Sequence, residues 1–241
     1  MHDLKTLDVS GVLQMSSELQ RLGEDCSSME EAAKQVVRYF YDELRDGASG
    51  RRTCALARLY RTTRFEELDF LSRGFAKGMA KGHPITEDTV CLTLLATVGD
   101  EDAWNSRERS IDHMAIPLLS EEMVLQMPMV AQLIQQLGYD VKDIVNPNPD
   151  LLLDPTKRTH NVFWVPEARG NPYIPAQQGF VIRYGIRSVV GFGSILPGGP
   201  LFAVILFLRE AIPEQQAGRF KSLTVSVRAA LSRHSRGKIF E

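Results

Sequence analysis

Residues Ser188 to Arg209 read SVVGFGSILPGGPLFAVILFLR. Two apolar runs flank Pro197-Gly198-Gly199-Pro200. Paired glycines between apolar runs signal a hairpin, because glycine enters positive φ without steric cost. The second run, LFAVILFL, contains no polar side chain. A strand apolar at every position is buried on both faces, so it is expected at the centre of a layered sheet. Gly191-Phe192-Gly193 looks like the start of a phosphate-binding glycine loop, but the third glycine is absent and a strand follows. Small residues in a twisted strand are the expectation there.

Upstream of the hairpin, Asn161 to Val165 predicts a short strand, Glu167 to Gln178 a loop, and Phe180 to Tyr184 an extended segment. Two earlier strands are expected, at Thr53–Thr62 (TCALARLYRT, with Cys54, Leu56 and Tyr60 on one face) and Val90–Val98 (VCLTLLATV). A third, short or merely extended, is expected over Ile111–Leu118. Helical periodicity covers residues 4–22 and 29–44, the latter with Met29, Ala33, Val36, Val37, Phe40 and Leu44 on one face. Ser28 and Glu31 fit a capping box at its start, and Asp46-Gly47 is expected to end it. A short helix is expected through Phe70, Leu71 and Phe75. Pro128 suits the first turn of a helix that carries Val130, Leu133, Ile134 and Leu137 and stops at Gly138. Residues 144–158 carry three prolines and read as a loop. The last helix begins near Pro213, with Phe220, Leu223, Val227 and Leu231 as its stripe. Hairpin-linked strands flanked by helices give the fold class α+β, an antiparallel sheet with helices packed on it.

The chain has 241 residues, 44% hydrophobic and 24% charged. Those values exclude long disorder and fibrous repeats. The 28 basic and 30 acidic residues give a net charge of −2, which argues against a chain built mainly for nucleic acid. The longest apolar run is far short of the roughly twenty residues that span a membrane. Three scattered cysteines, Cys26, Cys54 and Cys91, make neither a disulfide framework nor a zinc spacing, and a reducing cytoplasm is the expected compartment.

No catalytic or metal motif emerges. His113 is a candidate haem ligand, weighed against an ordinary hydrogen-bonded histidine, and His160 is weighed likewise. If the strands bearing Cys54 and Cys91 pair, their thiols read as neighbours that sense oxidants or, more simply, as inert packing in the core. Arg51, Arg52, Arg58, Arg61 and Arg64 read as an anion site or, more simply, as the solvated edge of a sheet. Six basic and no acidic residues lie between Gln215 and Phe240. Beside the apolar stripe they mark a packing or dimer helix, with nucleic-acid contact as the alternative. The loop before the final hairpin crowds Arg169, Tyr173, Gln177, Gln178 and Arg183 beside Phe163 and Trp164. Hydrogen-bonding and aromatic side chains on a loop over a sheet suggest a ligand lid, weighed against a structural loop that packs its own aromatics. With His113, these residues are the expected ligand site.

The order of elements resembles the GAF family of sensory domains, related in architecture to PAS domains. The stretches that carry the resemblance are TCALARLYRTTRFEELD, AIPLLSEEMVLQMPMVAQLIQQLG and NVFWVPEARGNPYIPAQQGFVIRYGIRSVVGFGSILPGGPLFAVILFLRE. The chain is also similar to sensory regions that precede bacterial histidine kinases. The resemblance implies a sheet of about six strands with a small-molecule cavity on one face and dimerisation through the terminal helices. It names no cofactor, because such domains bind cyclic nucleotides, tetrapyrroles, haem or nothing known. It divides the chain into a helical extension (1–27), a GAF-like domain (28–212) and a signalling helix (213–241). The function it implies is a bacterial, two-component-type sensory module that passes a signal to a downstream partner or a fused output. The alternatives are a redox enzyme using Cys54 or Cys91, and a scaffold or nucleic-acid module using the basic C-terminal helix.

Overall fold

The computed structural model describes residues 1–110, 113–147 and 161–241. Seven α-helices and six strands are described: α1 (Val9–Arg21), α2 (Met29–Glu43), β1 (Cys54–Arg64), α3 (Phe70–Met79), β2 (Val90–Gly99), β3 (Ala115–Pro117), α4 (Glu121–Leu125), α5 (Pro128–Gln136), α6 (Val141–Val145), β4 (Val162–Val165), β5 (Ser188–Ile195), β6 (Leu201–Leu208) and α7 (Glu214–Ser232). The strands form one antiparallel sheet in the order β3-β2-β1-β6-β5-β4. The α+β class expected from the sequence stands.

β6 occupies the middle, as an all-apolar strand requires. Its side chains alternate without a break. Phe202, Val204, Leu206 and Leu208 join the core under α1, α2 and α7. Leu201, Ala203, Ile205 and Phe207 face the opposite layer, built from α4, α5, α6 and the loop after β4. Gly191 and Gly193 lie within β5, as expected. A Cβ at Gly191 would stand 3.0 Å from Leu133 Cδ1, so glycine lets α5 approach the sheet.

β1 differs from expectation in two ways. It is no edge: β2 and β6 hydrogen-bond its two sides. The arginines expected on a solvated edge therefore include two that are buried, Arg58 at 8% exposure and Arg61 at 5%. In addition, a register shift against β6 between Cys54 and Leu56 separates their faces, so Cys54 does not share a face with Leu56 and Tyr60. A second irregularity sits where Leu59 faces Ala96 and Tyr60 faces Leu94. The extra residue, Leu95, is a bulge in β2, which puts both Leu95 and Ala96 on the helix side.

The capping box is displaced by one residue. Ser28 Oγ accepts from the Glu31 N–H, but the Glu31 carboxylate accepts from the backbone and hydroxyl of Ser27. The helix ends at Glu43, before Asp46-Gly47. The N–H groups of Met29 and Glu30 find partners elsewhere, donating to the carbonyls of Lys238 and Ile239 at 3.0 and 2.8 Å. The C-terminal tail thus caps α2, and Phe240 is buried with it.

The terminal segments share the central core. Leu4, Leu7, Met15 and Leu19 pack with Phe220, Leu223, Val227 and Leu231 and with the sheet. The stripe on α7 is therefore buried within the chain and offers no surface to a second copy. The apolar side chains left exposed on these helices are Val9, Leu13 and Val225. Arg233, one of the basic residues considered for nucleic acid, donates to the Gln20 carbonyl at 2.7 Å and pairs with Glu24.

Phe180 to Tyr184, expected as extended, is instead helical. A π-helical turn runs from Gln177 to Ile182 and is entered through Ala176 in the left-handed conformation, with φ of 57°. A non-glycine residue there stores roughly 1 kcal/mol of strain. Most of the proline-rich loop expected at 144–158, and His160 after it, lie outside the described residues.

Candidate ligand cavity

A cavity of about 600 Å³ opens between the sheet and the layer of small helices and loops. Its sheet wall is formed by Leu56, Arg58 and Tyr60 of β1, Leu92 of β2, and Ile205 and Phe207 of β6. Period-two alternation places them together: residues two apart on a strand share a face. The roof comes from Met127, Pro128, Met129 and Val130, where α5 begins, and from Pro172–Ala176, Gly179, Phe180 and Tyr184. Trp104 and His113 close the side. Pro128 stands at the first turn of α5, as expected, and so begins the helix at the cavity mouth.

The roof is held by aromatic contacts and by one amide. Trp104 packs edge-on against Tyr184 and Phe180, with ring centroids 4.6 and 5.4 Å away, and Phe180 packs against Phe207 at 5.0 Å. The Tyr184 hydroxyl donates to Glu101 at 2.7 Å, and that bond raises the phenol above its ordinary pKa. Gln177 braces the loop from within. Its Nε2 donates to the carbonyls of Ala168 and Ile174, and its Oε1 accepts from the Gly170 N–H at 2.8 Å.

The polar groups of the sheet wall are few. Among the described residues, Arg58 is the only Lys or Arg in the lining. Its Nε has no hydrogen-bond partner, and no carboxylate pairs with it among the described residues. Arg61, three residues along the strand and on the other face, also has an Nε without a partner, but its Nη1 is engaged. Its Nη1 donates to Thr63 Oγ1 at 3.1 Å and lies 3.9 Å from Glu67, while burial lowers its pKa.

Of the eight residues expected from the sequence, Tyr173 and His113 line the cavity. Phe163 is fully buried below it, against Gly191. Trp164 points to the other face, where its indole N–H donates to the Ile212 carbonyl at 3.1 Å. Gln177 is the loop brace just described. Arg169, Gln178 and Arg183 are exposed outside the lining, Arg183 over the Tyr184 ring at 5.3 Å. The cavity residues absent from the expected ligand site are Tyr60, Trp104, Phe180 and the α5 entry, together with Arg58, which the sequence offered only within an arginine cluster as an anion site or a solvated edge. The alternation Leu56-Arg58-Tyr60 was the available signal: an arginine between apolar residues on one face of a strand.

The strands that bear Cys54 and Cys91 pair, but the two thiols are not brought together, and both are buried. Cys91 lies opposite Thr63, whereas Cys54 lies opposite Leu208 near the other end of β1. At about 3.3 Å per residue, the thiols are on the order of 30 Å apart. Burial pushes both up to about 12, so neither is a thiolate near neutral pH. Among the described residues, no group of three or more His, Cys, Asp or Glu could hold a metal ion. No described helix is long and apolar enough to cross a membrane.

A buried ion network stands behind the cavity wall. Arg107, three residues beyond Trp104, donates to Asp69 at 2.8 Å and lies 3.4 Å from Glu30. Burial raises the Asp69 carboxyl, but the donors from Ser72 and Arg107 outweigh it and hold the group below its ordinary range. The Arg107 guanidinium also lies 4.9 Å from the Phe240 ring.

No family model matches the chain, and no curated protein matches it. Solved structures do. Two of them are GAF domains. One is the phycoerythrobilin-bound GAF domain of a cyanobacterial phytochrome, 10% identical with a TM-score of 0.42, covering 96% of this chain and 98% of that one. The other is a phycocyanobilin-bound GAF domain from a cyanobacterial phytochrome, at 9% identity and 0.43, covering 96% and 97%. A third is an N-acylhomoserine lactone-dependent LuxR-family transcription factor from Burkholderia cenocepacia, at 12% and 0.40, covering 93% and 98%. At these TM-scores the likeness is loose, and nothing about a ligand follows from it.

Proposed function

We propose that the chain is a non-catalytic sensory module that binds a small molecule in this cavity and reports it through the terminal segments. The observation that carries the proposal is the cavity itself. About 600 Å³ of space, walled mainly by apolar and aromatic side chains with few polar ones, has the size and character of a small-molecule site. The α1, α2 and α7 layer on the opposite face leaves the cavity side free for such a role.

A physical route joins the two faces. Trp104 is in the cavity wall, and Arg107 on the same connection grips Glu30 and Asp69 and lies over Phe240. The tail around Phe240 in turn caps α2. A ligand that prefers one position of Trp104 would shift the population of tail-docked chains, by as much as its affinity differs between the two states. The output would be a bacterial signalling partner or a fused domain that reads the tail.

The neutral fluorophore N-phenyl-1-naphthylamine tests the cavity. Saturable one-to-one binding is expected, weakened at least about fivefold by Trp104→Ala, since an aromatic contact contributes on the order of 1 kcal/mol. An absence of saturable binding would contradict the proposal.

A further inference from the structure

Arg58 projects from the centre of the sheet into an apolar cavity, more than nine-tenths buried, with its Nε unpartnered and no acid beside it among the described residues. While the cavity is empty of ligand, water can solvate the guanidinium. An apolar ligand seated against the guanidinium would displace that water and leave a buried charge uncompensated, an unfavourable change that a ligand confined to the aromatic end of the cavity avoids. A ligand that brings its own anion replaces the lost water with a charge-assisted hydrogen bond. We infer that the ligand is an amphipathic organic acid whose carboxylate pairs with Arg58 while its apolar body lies among Trp104, Phe180 and Phe207. The inference rests on the cavity being a binding site.

Two features sharpen the class. Tyr60 lies two residues along β1 on the same face, also in the lining, so its hydroxyl is available to a second oxygen of the same group. A planar guanidinium matches a carboxylate in shape and charge. A dianionic phosphate would call for further cations, and Arg58 is the only Lys or Arg among the described residues of the lining. The described lining thus offers one guanidinium to one anionic group.

The test displaces N-phenyl-1-naphthylamine with three ligands that share a ring: 1-naphthaleneacetate, its neutral acetamide and 1-naphthyl phosphate. In the wild type the carboxylate is expected to displace the dye at concentrations at least about tenfold lower than the acetamide, the usual scale for a hydrogen bond to a charged group. The phosphate should do no better than the carboxylate. In Arg58→Met, with each ligand measured against that variant's own dye affinity, the advantage of the carboxylate over the acetamide should vanish, and the melting temperature should not fall, because no partner is lost. Equal displacement by acid and amide in the wild type would overturn the inference and leave the cavity proposal standing. So would discrimination that survives in Arg58→Met. Preference for the phosphate would overturn the carboxylate assignment. Failure of the dye itself to bind would remove the cavity proposal and this inference together.

Discussion

Single residues decide which chemistry this chain can perform. Cys54 and Cys91 sit in the core far apart along the sheet, with thiols pushed up to about 12. A redox enzyme built on them would need a thiolate and solvent access, and neither thiol has either. Native labelling with a disulfide reagent should therefore modify Cys26, which is half-buried, and leave the other two until the chain unfolds. Fast native labelling of Cys54 or Cys91 would restore the redox alternative. Arg58 shows what the sequence concealed. Five arginines around one strand were legible as a cluster, but whether each faced water, a carboxylate or a cavity depended on β1 being central. That is a property of strand order, and strand order is set by partners distant in sequence. The roles within the loop were hidden for a related reason. Gln177 and Tyr173 look alike as lid residues in sequence, yet one turns inward to hold carbonyls and the other faces the cavity.

At the scale of elements, periodicity was a reliable guide and hinge points were not. β6 and α7 were legible because an unbroken apolar strand and a stripe at spacings of three and four have few ways to be satisfied. The turn at Gln177–Ile182 was not, because Phe180, Val181 and Ile182 suit a strand by composition and only tertiary packing of Phe180 on Trp104 and Phe207 winds them. The use of the α7 stripe could not be read either, since a stripe meant for a second copy looks the same as one meant for the core. Its burial makes two predictions. Deleting residues 213–241 should abolish cooperative unfolding, because it uncovers Leu19, Phe40 and Phe192. Phe220→Ala should cost about 3–5 kcal/mol in urea unfolding. A truncated chain that melts cooperatively would contradict this placement of α7. The N-terminal segment adds a pH dependence. Burial pushes His2 below its ordinary 6.5, with the nearby N-terminal charge acting the same way and Glu18 opposing. The unfolded chain then takes up a proton that the folded chain resists. Stability is complete above about pH 6.5 and falls as the pH drops toward the lower folded value. Urea midpoints at about pH 7.5 and 5.5 should differ less in His2→Gln than in the wild type. An identical difference in both would exclude His2 as the source.

Across the whole molecule, the sheet separates two layers with different work. One face carries the helices and the docked tail, whose buried apolar side chains form a single core with the sheet. The other carries a cavity whose roof is a loop braced by one glutamine and an aromatic cluster. The connection from Gly99 to Ser110 belongs to both, because it supplies Trp104 to the cavity and Arg107 to the tail. Hydrogen exchange followed by mass spectrometry, with and without saturating 1-naphthaleneacetate, reads both ends of that connection in one experiment. Slower exchange is expected in residues 172–184, together with a changed rate at Met29 and Glu30, whose amides are held by the tail. Exchange that is unchanged in both places, or altered only on α1 and α7, would contradict a ligand cavity coupled to the terminal segments.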